Sequence, residues 1–351
     1  MINSINLHLS YACNMNCSYC FLKKQSRSIQ DSFCRWDDLL AFLNSAPTGD
    51  RLTVILASGE LSLRPYLIET AYVNIKKLER IKDIEIEFGM YTNGTNMGPI
   101  LDFLDKGILS IEHTSLSWDG IKNTKVRTPK DIIKYDDAYF NNMIKTIGSS
   151  KYKDNMVIRS ALTLQMLKNI DDTLHHLYIS GCRNWEYYYL IDNDEYRKNE
   201  FISLFTTALE IMYKYKDKGM NIFNLNLSDY YKSDNKCKKV WCNCLEDSID
   251  ISMDGKVLPC GSYSDIYRYE TPEQDFDDIS IPFNESRIAL LNKRNCIDCN
   301  KCDFISCGNL HCVECSRMVE YRAGKSFQYK ATQPCKLRDI ERETYFRKVK
   351  K

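Results

Sequence analysis

The sequence has no run of 18 apolar residues, so nothing in it reads as a transmembrane helix. It has no net excess of charge either: Lys+Arg 48 against Asp+Glu 47 leaves +1. A field that weak does not recruit nucleic acid or an anionic membrane. The first strand-like segment begins within six residues of Met1, which leaves no room for a signal peptide. A cytoplasmic protein is therefore expected. Internal repeats and low-complexity linkers are absent, and proline is sparse (8) beside abundant tyrosine (23), a composition that looks like an AT-rich genome. Cysteine is the exception to this plainness, with 16 in 351 residues. A cytosolic chain has little use for eight disulfides, so the cysteines argue for metal.

Hydrophobic patterning predicts strands near 5–9, 52–57, 84–91, 113–117, 157–164 and 185–191. Helical patterns fall at 35–43, from Pro65 onward, through Leu101 and Leu104, at 131–147, at 170–179 and at 195–216. The apolar stripe of the last one reads as core packing. Strands alternating with helices at this rhythm predict an α/β fold with a parallel sheet, a partial (β/α)6 barrel. By analogy with full barrels its chemistry sits at the C-terminal strand ends.

The first strand runs into Cys13-Asn-Met-Asn-Cys17-Ser-Tyr-Cys20, a C-x3-C-x2-C loop. Three thiolates on one short loop suit three irons of a four-iron, four-sulfur cluster, leaving the fourth iron without a cysteine from the loop. Zinc is the bland alternative, although a structural zinc site takes four closed ligands. Chance alone gives this spacing in roughly 3% of chains with this cysteine content. Its place at a strand end, with Tyr19 just before the last cysteine, adds weight. On these residues the chain resembles the radical S-adenosylmethionine (radical SAM) superfamily.

Further strand ends carry similar motifs. Ser58-Gly59-Glu60 resembles the family's Gly-Gly-Glu turn, with Ser for the first Gly, and the resemblance implies contact between the carboxylate and the SAM ammonium. Thr92-Asn93-Gly94 is similar to the family's TNGT turn, and Ser117 with Arg127 occupies the segment implied to lie near the SAM carboxylate and ribose. Asn-Gly and Asp-Gly alone are ordinary turns; their register at consecutive strand ends is what distinguishes them.

Beyond residue 218 the composition changes, and eleven cysteines lie between Cys237 and Cys335. A hairpin-like stretch, 249–260, has Asp254-Gly255 as its turn signal. The run from Cys244 through Gly255 to Cys260 resembles the opening of a SPASM domain, the appendage of radical SAM peptide-modifying enzymes. Two domains are thus expected, a radical SAM core over 1–218 and a SPASM-like domain with a basic C-terminal helix over 219–351. The resemblance implies two auxiliary four-iron clusters, three in all with the SAM-binding one. One would use Cys244, Cys260, Cys312 and either Cys237 or Cys242; the other Cys299, Cys302, Cys307 and Cys335. Cys296 and Cys315 are spare, and Cys34 and Cys182 are expected to be plain buried thiols. Zinc ribbons remain the alternative for this region.

The resemblance implies reductive cleavage of SAM and oxidative modification of a ribosomally made peptide, such as a thioether or carbon–carbon cross-link, in an anaerobic cell. It also implies an external electron donor, flavodoxin or ferredoxin; with six residues before the first strand, leader recognition is expected from a separate leader-binding protein or from the core surface. Alternatives are a dehydrogenase similar to anaerobic sulfatase maturases, a redox-neutral epimerase, and a non-catalytic iron–sulfur or zinc scaffold. Sulfatase-maturase relatives place a general base directly after the Cys260 equivalent; Gly261 stands there, and Asp265 is the nearest acid.

Overall fold

The strand and helix patterns of the sequence reappear as elements in the computed structural model, which describes residues 1–20, 32–57, 59–188, 190, 199–223, 248–258, 277–283, 340, 344 and 347–348. In chain order these are β1 (Ile2–His8), β2 (Met15–Cys17), α1 (Trp36–Ser45), β3 (Thr48–Ala57), α2 (Pro65–Ile75), α3 (Lys77–Lys82) and β4 (Glu85–Thr92). Next come α4 (Met97–Asp105), β5 (Ser115–Ser117), β6 (Arg127–Pro129), α5 (Asp137–Gly148), β7 (Val157–Ala161), α6 (Leu164–Lys168) and α7 (Ile170–Ser180). The rest are β8 (Asn184–Tyr188), α8 (Asn199–Asp217), β9 (Asn221–Ile222), β10 (Ser248–Ile251), β11 (Lys256–Leu258) and β12 (Asp277–Asp278).

Two compact units divide the chain. The first comprises Met1–Ser117, Arg127–Tyr135 and Asn243–Arg294. Its strands run β12-β11-β10-β1-β3-β4-β5, parallel from β10 through β5. Strands β10, β11 and β12 pair antiparallel. The hairpin expected at 249–260 is thus present, turned at Gly255 with φ 87°, where a side chain would be strained. Its first strand extends the sheet beside β1. Arg35 holds the hairpin from α1's N-terminus, donating to Asp254 O at 3.0 Å and pairing with both Asp278 oxygens at 3.0 and 2.7 Å. This pairing draws the Asp278 carboxyl well below its ordinary range, against the opposing effect of burial.

Leu52, Val54 and Leu56 of β3 are essentially inaccessible, as are Leu39, Leu43, Ile68 and Ala71 of the helices that cover the sheet. Such continuous apolar runs are the mark of parallel strands covered by helices. A short antiparallel pair, β2 with β6, lies apart from the main sheet and aligns Cys17 with Arg127.

The second unit comprises Trp118–Val126, Asp136–Cys242 and Asn295–Lys351. It contains the parallel strands β7-β8-β9 with α5 to α8. Asp119, 1% exposed, accepts the Ala161 amide at 2.8 Å, and Trp185 donates to Ser160 Oγ at 2.8 Å.

Several boundaries differ from expectation. The helix predicted from 131 starts at Asp137, because Asp136 caps it by accepting the Tyr139 amide at 2.7 Å. Ile132 and Ile133, inside the predicted range, are 58% and 94% exposed. The strand predicted to reach 164 stops at Ala161, since Thr163 caps α6 through the Met166 amide at 3.1 Å. Cys182 is buried as expected, but Cys34 is exposed, lying just ahead of α1 rather than on its inward face.

Candidate functional site

Beyond its last residue β1 continues as an extended chain, and Leu9 still pairs with Ala57 O at 3.2 Å. Past that point the backbones of two loops interlock. Gly59 donates to Ser10 O at 2.9 Å and Glu60 to Ala12 O at 2.8 Å. The approach is so close that a Cβ on Gly59 would lie 2.2 Å from Ala12 O. Glycine is therefore required there for contact with the cysteine loop.

The Glu60 carboxylate is 2% exposed. It was expected to face a SAM ammonium, but it is turned into the protein. It accepts the Ser62 amide at 3.2 Å, the Thr92 hydroxyl at 2.9 Å and the Asn93 amide at 2.5 Å. Burial raises its pKa, with these hydrogen bonds opposing. Glu60 thereby ties its own turn to the Thr92-Asn93-Gly94 turn at the end of β4.

That second turn grips the cysteine loop directly. Asn93 Oδ1 accepts from the Thr95 amide at 2.9 Å and the Thr95 hydroxyl at 2.7 Å, which fixes the orientation of its amide. Asn93 Nδ2 then donates to Asn14 Oδ1 at 3.0 Å and reaches 3.9 Å from Cys13 Sγ. Asn14 returns a bond to Thr95 Oγ1 at 2.9 Å. Gly94 donates its amide to Thr92 Oγ1 at 3.1 Å. On the other side of the loop Arg127 donates to the Tyr19 hydroxyl at 2.6 Å and lies 6.0 Å from its ring centre.

Cys13, Cys17 and Cys20 are free thiols on this braced loop. Burial pushes the Cys13 thiol up to about 11, and the charges of Glu60, Cys17 and Cys20 push the same way, against the Met15 amide at 3.4 Å. Thiols that repel one another as thiolates are suited to a cationic iron–sulfur centre, which relieves the repulsion. Among the described residues no three His, Cys, Asp or Glu side chains converge on a single metal ion. A cluster asks less, one cysteine for each of three irons, and the donor set fits it.

The structure thus brings together Cys13, Cys17, Cys20, Tyr19, Gly59, Glu60, Thr92, Asn93, Gly94 and Arg127, while Ser117 closes β5 half-buried. Sequence reading missed Asn14 and Thr95. Their signal was two short polar residues, one inside the cysteine motif and one ending the TNGT turn. Ser58, Asp265, Cys237, Cys242, Cys244, Cys260, Cys296, Cys299, Cys302, Cys307, Cys312, Cys315 and Cys335 lie outside the described residues.

No family model matches the chain. It is 28% identical over 169 residues to the S-adenosylmethionine-dependent nucleotide dehydratase of Flammeovirga pacifica. That alignment covers 46% of this chain and 55% of the relative, so the match spans about half of the curated protein. Among solved structures, anSMEcpe with bound AdoMet superposes with a TM-score of 0.72 at 16% identity, over 99% of this chain and 94% of that one. Streptococcus suis SuiB bound to precursor peptide SuiA gives 0.61 at 14% identity, over 95% and 76%. With six strands leading in turn to helices, and a braced three-cysteine loop after the first, the chain has the fold of the radical SAM enzymes.

Proposed function

We propose that this protein is a radical SAM enzyme that oxidatively modifies a peptide. The observation that carries the reading is the cysteine loop itself, locked by backbone bonds to Gly59 and Glu60 and by Asn93 and Thr95 to the next strand end. Cys13, Cys17 and Cys20 would hold one four-iron cluster, and SAM would bind against Tyr19, the Ser58-Gly59-Glu60 and Thr92-Asn93-Gly94 turns, Ser117 and Arg127. When bound, these groups supply reductive cleavage of SAM and hydrogen-atom abstraction. The chain's share is to brace the loop and to hold the turns fixed, and Glu60 serves SAM by holding its turn rather than by touching the ligand.

The two-domain division at 218/219 belongs to this proposal, with two auxiliary clusters on the cysteines from Cys237 to Cys335 and Asp265 as a proton acceptor. A flavodoxin or ferredoxin would supply electrons, and a separate protein would bring the peptide leader. The solved structure bound to a precursor peptide supports the peptide reading. The curated relative favours a second one, a nucleotide substrate, because its identity to this chain exceeds that of the solved structures.

Anaerobic reconstitution with iron and sulfide tests the core claim. Three clusters require about 12 iron atoms per chain, and the reduced protein is expected to form 5′-deoxyadenosine from SAM. Replacing Cys13, Cys17 and Cys20 by Ala should remove roughly a third of the iron and all of that product. A triple variant that still cleaves SAM sinks the proposal, and zinc without iron supports a scaffold. Co-expression with short peptides encoded beside the gene should give products about 2 Da lighter per modification. Nucleotides about 18 Da lighter, from loss of water, would replace the peptide reading by the nucleotide one.

A further inference from the structure

The proposed chemistry leaves one buried ionisable pair in the first unit without a task. His8 closes β1 and Asp250 lies on β10, and they are 2% and 3% exposed. His8 Nε2 stands 3.3 Å from Asp250 Oδ1, while the other carboxylate oxygen accepts from Asn6 Nδ2 at 3.1 Å. A carboxylate only accepts, so in the neutral ring it fixes the proton on Nε2 and leaves Nδ1 as a bare acceptor. Nδ1 is buried and has no hydrogen-bond partner among the described residues. Buried polar nitrogens seldom go unpaired, and those that do call for a reason.

The sheet shows where this nitrogen belongs. Tyr72 of α2 packs on Phe88 with ring centres 5.4 Å apart, so Phe88 and Met90 of β4 face the helices. Register carries that face through Leu56 to Leu7 and Ile251. Asn6, His8, Asp250 and Tyr91 alternate onto the opposite face. Lower on that face the sheet is plugged: a Cβ on Gly89 would meet His113 O at 2.2 Å. At the C-terminal end of the same face Tyr91, two strands from His8, is 44% exposed. The backbone ladder between β1 and β10 stands without the polar pair, and an apolar pair would pack there with no orphaned nitrogen.

We propose that His8, oriented by Asp250, is a substrate-binding residue whose Nδ1 accepts a hydrogen bond from an N–H or O–H of the substrate at the C-terminal end of this face. The proposal rests on the functional reading above, in which SAM binds at the strand ends beside the cysteine loop. Asn6 is then a positioning residue, since its bond to the second oxygen keeps the carboxylate turned toward the ring.

His8→Gln tests it, because the glutamine amide retains a donor toward Asp250 and removes the acceptor at Nδ1. The first measurement needs no substrate: long-range proton–nitrogen spectra of reconstituted protein labelled with [15N]histidine, with His8 assigned by its loss in the variant. A protonated Nε2 and bare Nδ1 are expected; a protonated Nδ1 overturns the proposal. The second uses the peptide modified in co-expression. His8→Gln should raise KM about tenfold or more, a larger change than in kcat, with iron content retained. An unchanged KM overturns it. If His8→Gln does not fold, Asp250→Asn serves: it should mix the two tautomers and raise KM less, and a single unaltered tautomer counts against the pair. Wild-type protein that fails to cleave SAM would refute the radical reading instead, while the nitrogen assignment would still be measured.

Discussion

Cys13 in the first unit is a half-buried thiol and Cys182 in the second a buried one, and removal from water raises both, to about 11 and about 12. Their surroundings differ. Cys182 sits alone, donating to Ile144 O at 3.5 Å, with the Arg183 charge as the one opposing influence. Cys13 sits with two further thiols and a buried carboxylate whose charges all resist its ionisation, and it is approached by two N–H donors. A raised thiol therefore reports burial and nothing more. What separates a ligand from a core residue is its company, because crowded thiolates gain from a cation and a solitary thiol gains from staying protonated.

The largest expected effect breaks this comparison at its root. Cys13→Ser should abolish 5′-deoxyadenosine formation, whereas Cys182→Ser should leave it at the wild-type rate; equal activities would erase the distinction. Next is Gly59→Ala, whose Cβ would be forced onto Ala12 O. Separating the two loops should cost on the order of 3 kcal/mol, read as a lower unfolding midpoint together with lost iron, and an intact iron complement would show that the interlock is dispensable.

Glu60→Gln should cost about 1–3 kcal/mol, because an amide cannot serve all three donors that converge on the carboxylate. It should also change the response to pH. A carboxyl whose pKa is raised in the fold binds more protons folded than unfolded, so its contribution falls as pH rises above the unfolded value. Denaturation of cluster-free protein should show this decline from about pH 4.5 upward in the wild type. The same slope in Glu60→Gln would mean that another group carries it. Smallest is Cys182→Ala, worth about 1 kcal/mol with unchanged iron. In mass-resolved alkylation of the folded protein exposed Cys34 should react well before Cys182.

The sheet was legible because β3 carries a continuous apolar run while β1 and β4 alternate apolar with polar residues at the strand period of two, and Asp254-Gly255 announced its hairpin. The pair β2 and β6 was not. Each is three residues long, one inside the cysteine motif and the other ending in Pro129, so neither has a period to detect. The start of α5 was misplaced for the opposite reason: Ile132 and Ile133 imitate a helix face, and only the Asp136 cap shows where the helix begins. At the site, the cysteines and the turn motifs could be read as positions. The direction in which Glu60 points could not, because it depends on donors 32 and 33 residues away that become neighbours only when β4 aligns with β3.

The place of β1 between β3 and β10 has a consequence for the order in which the chain folds. Ser4 is aligned with Thr53 on one side and with Ser248 on the other. The bracing of the cysteine loop through Glu60, Asn93 and Thr95 is available as soon as the first hundred or so residues have been synthesised. The opposite edge of β1 then waits for a partner from far along the chain, the kind of distant pairing that slows folding. A nascent chain, or a fragment ending before Ser248, would hold its cysteine loop ready while exposing an unpaired strand edge, the form most exposed to aggregation.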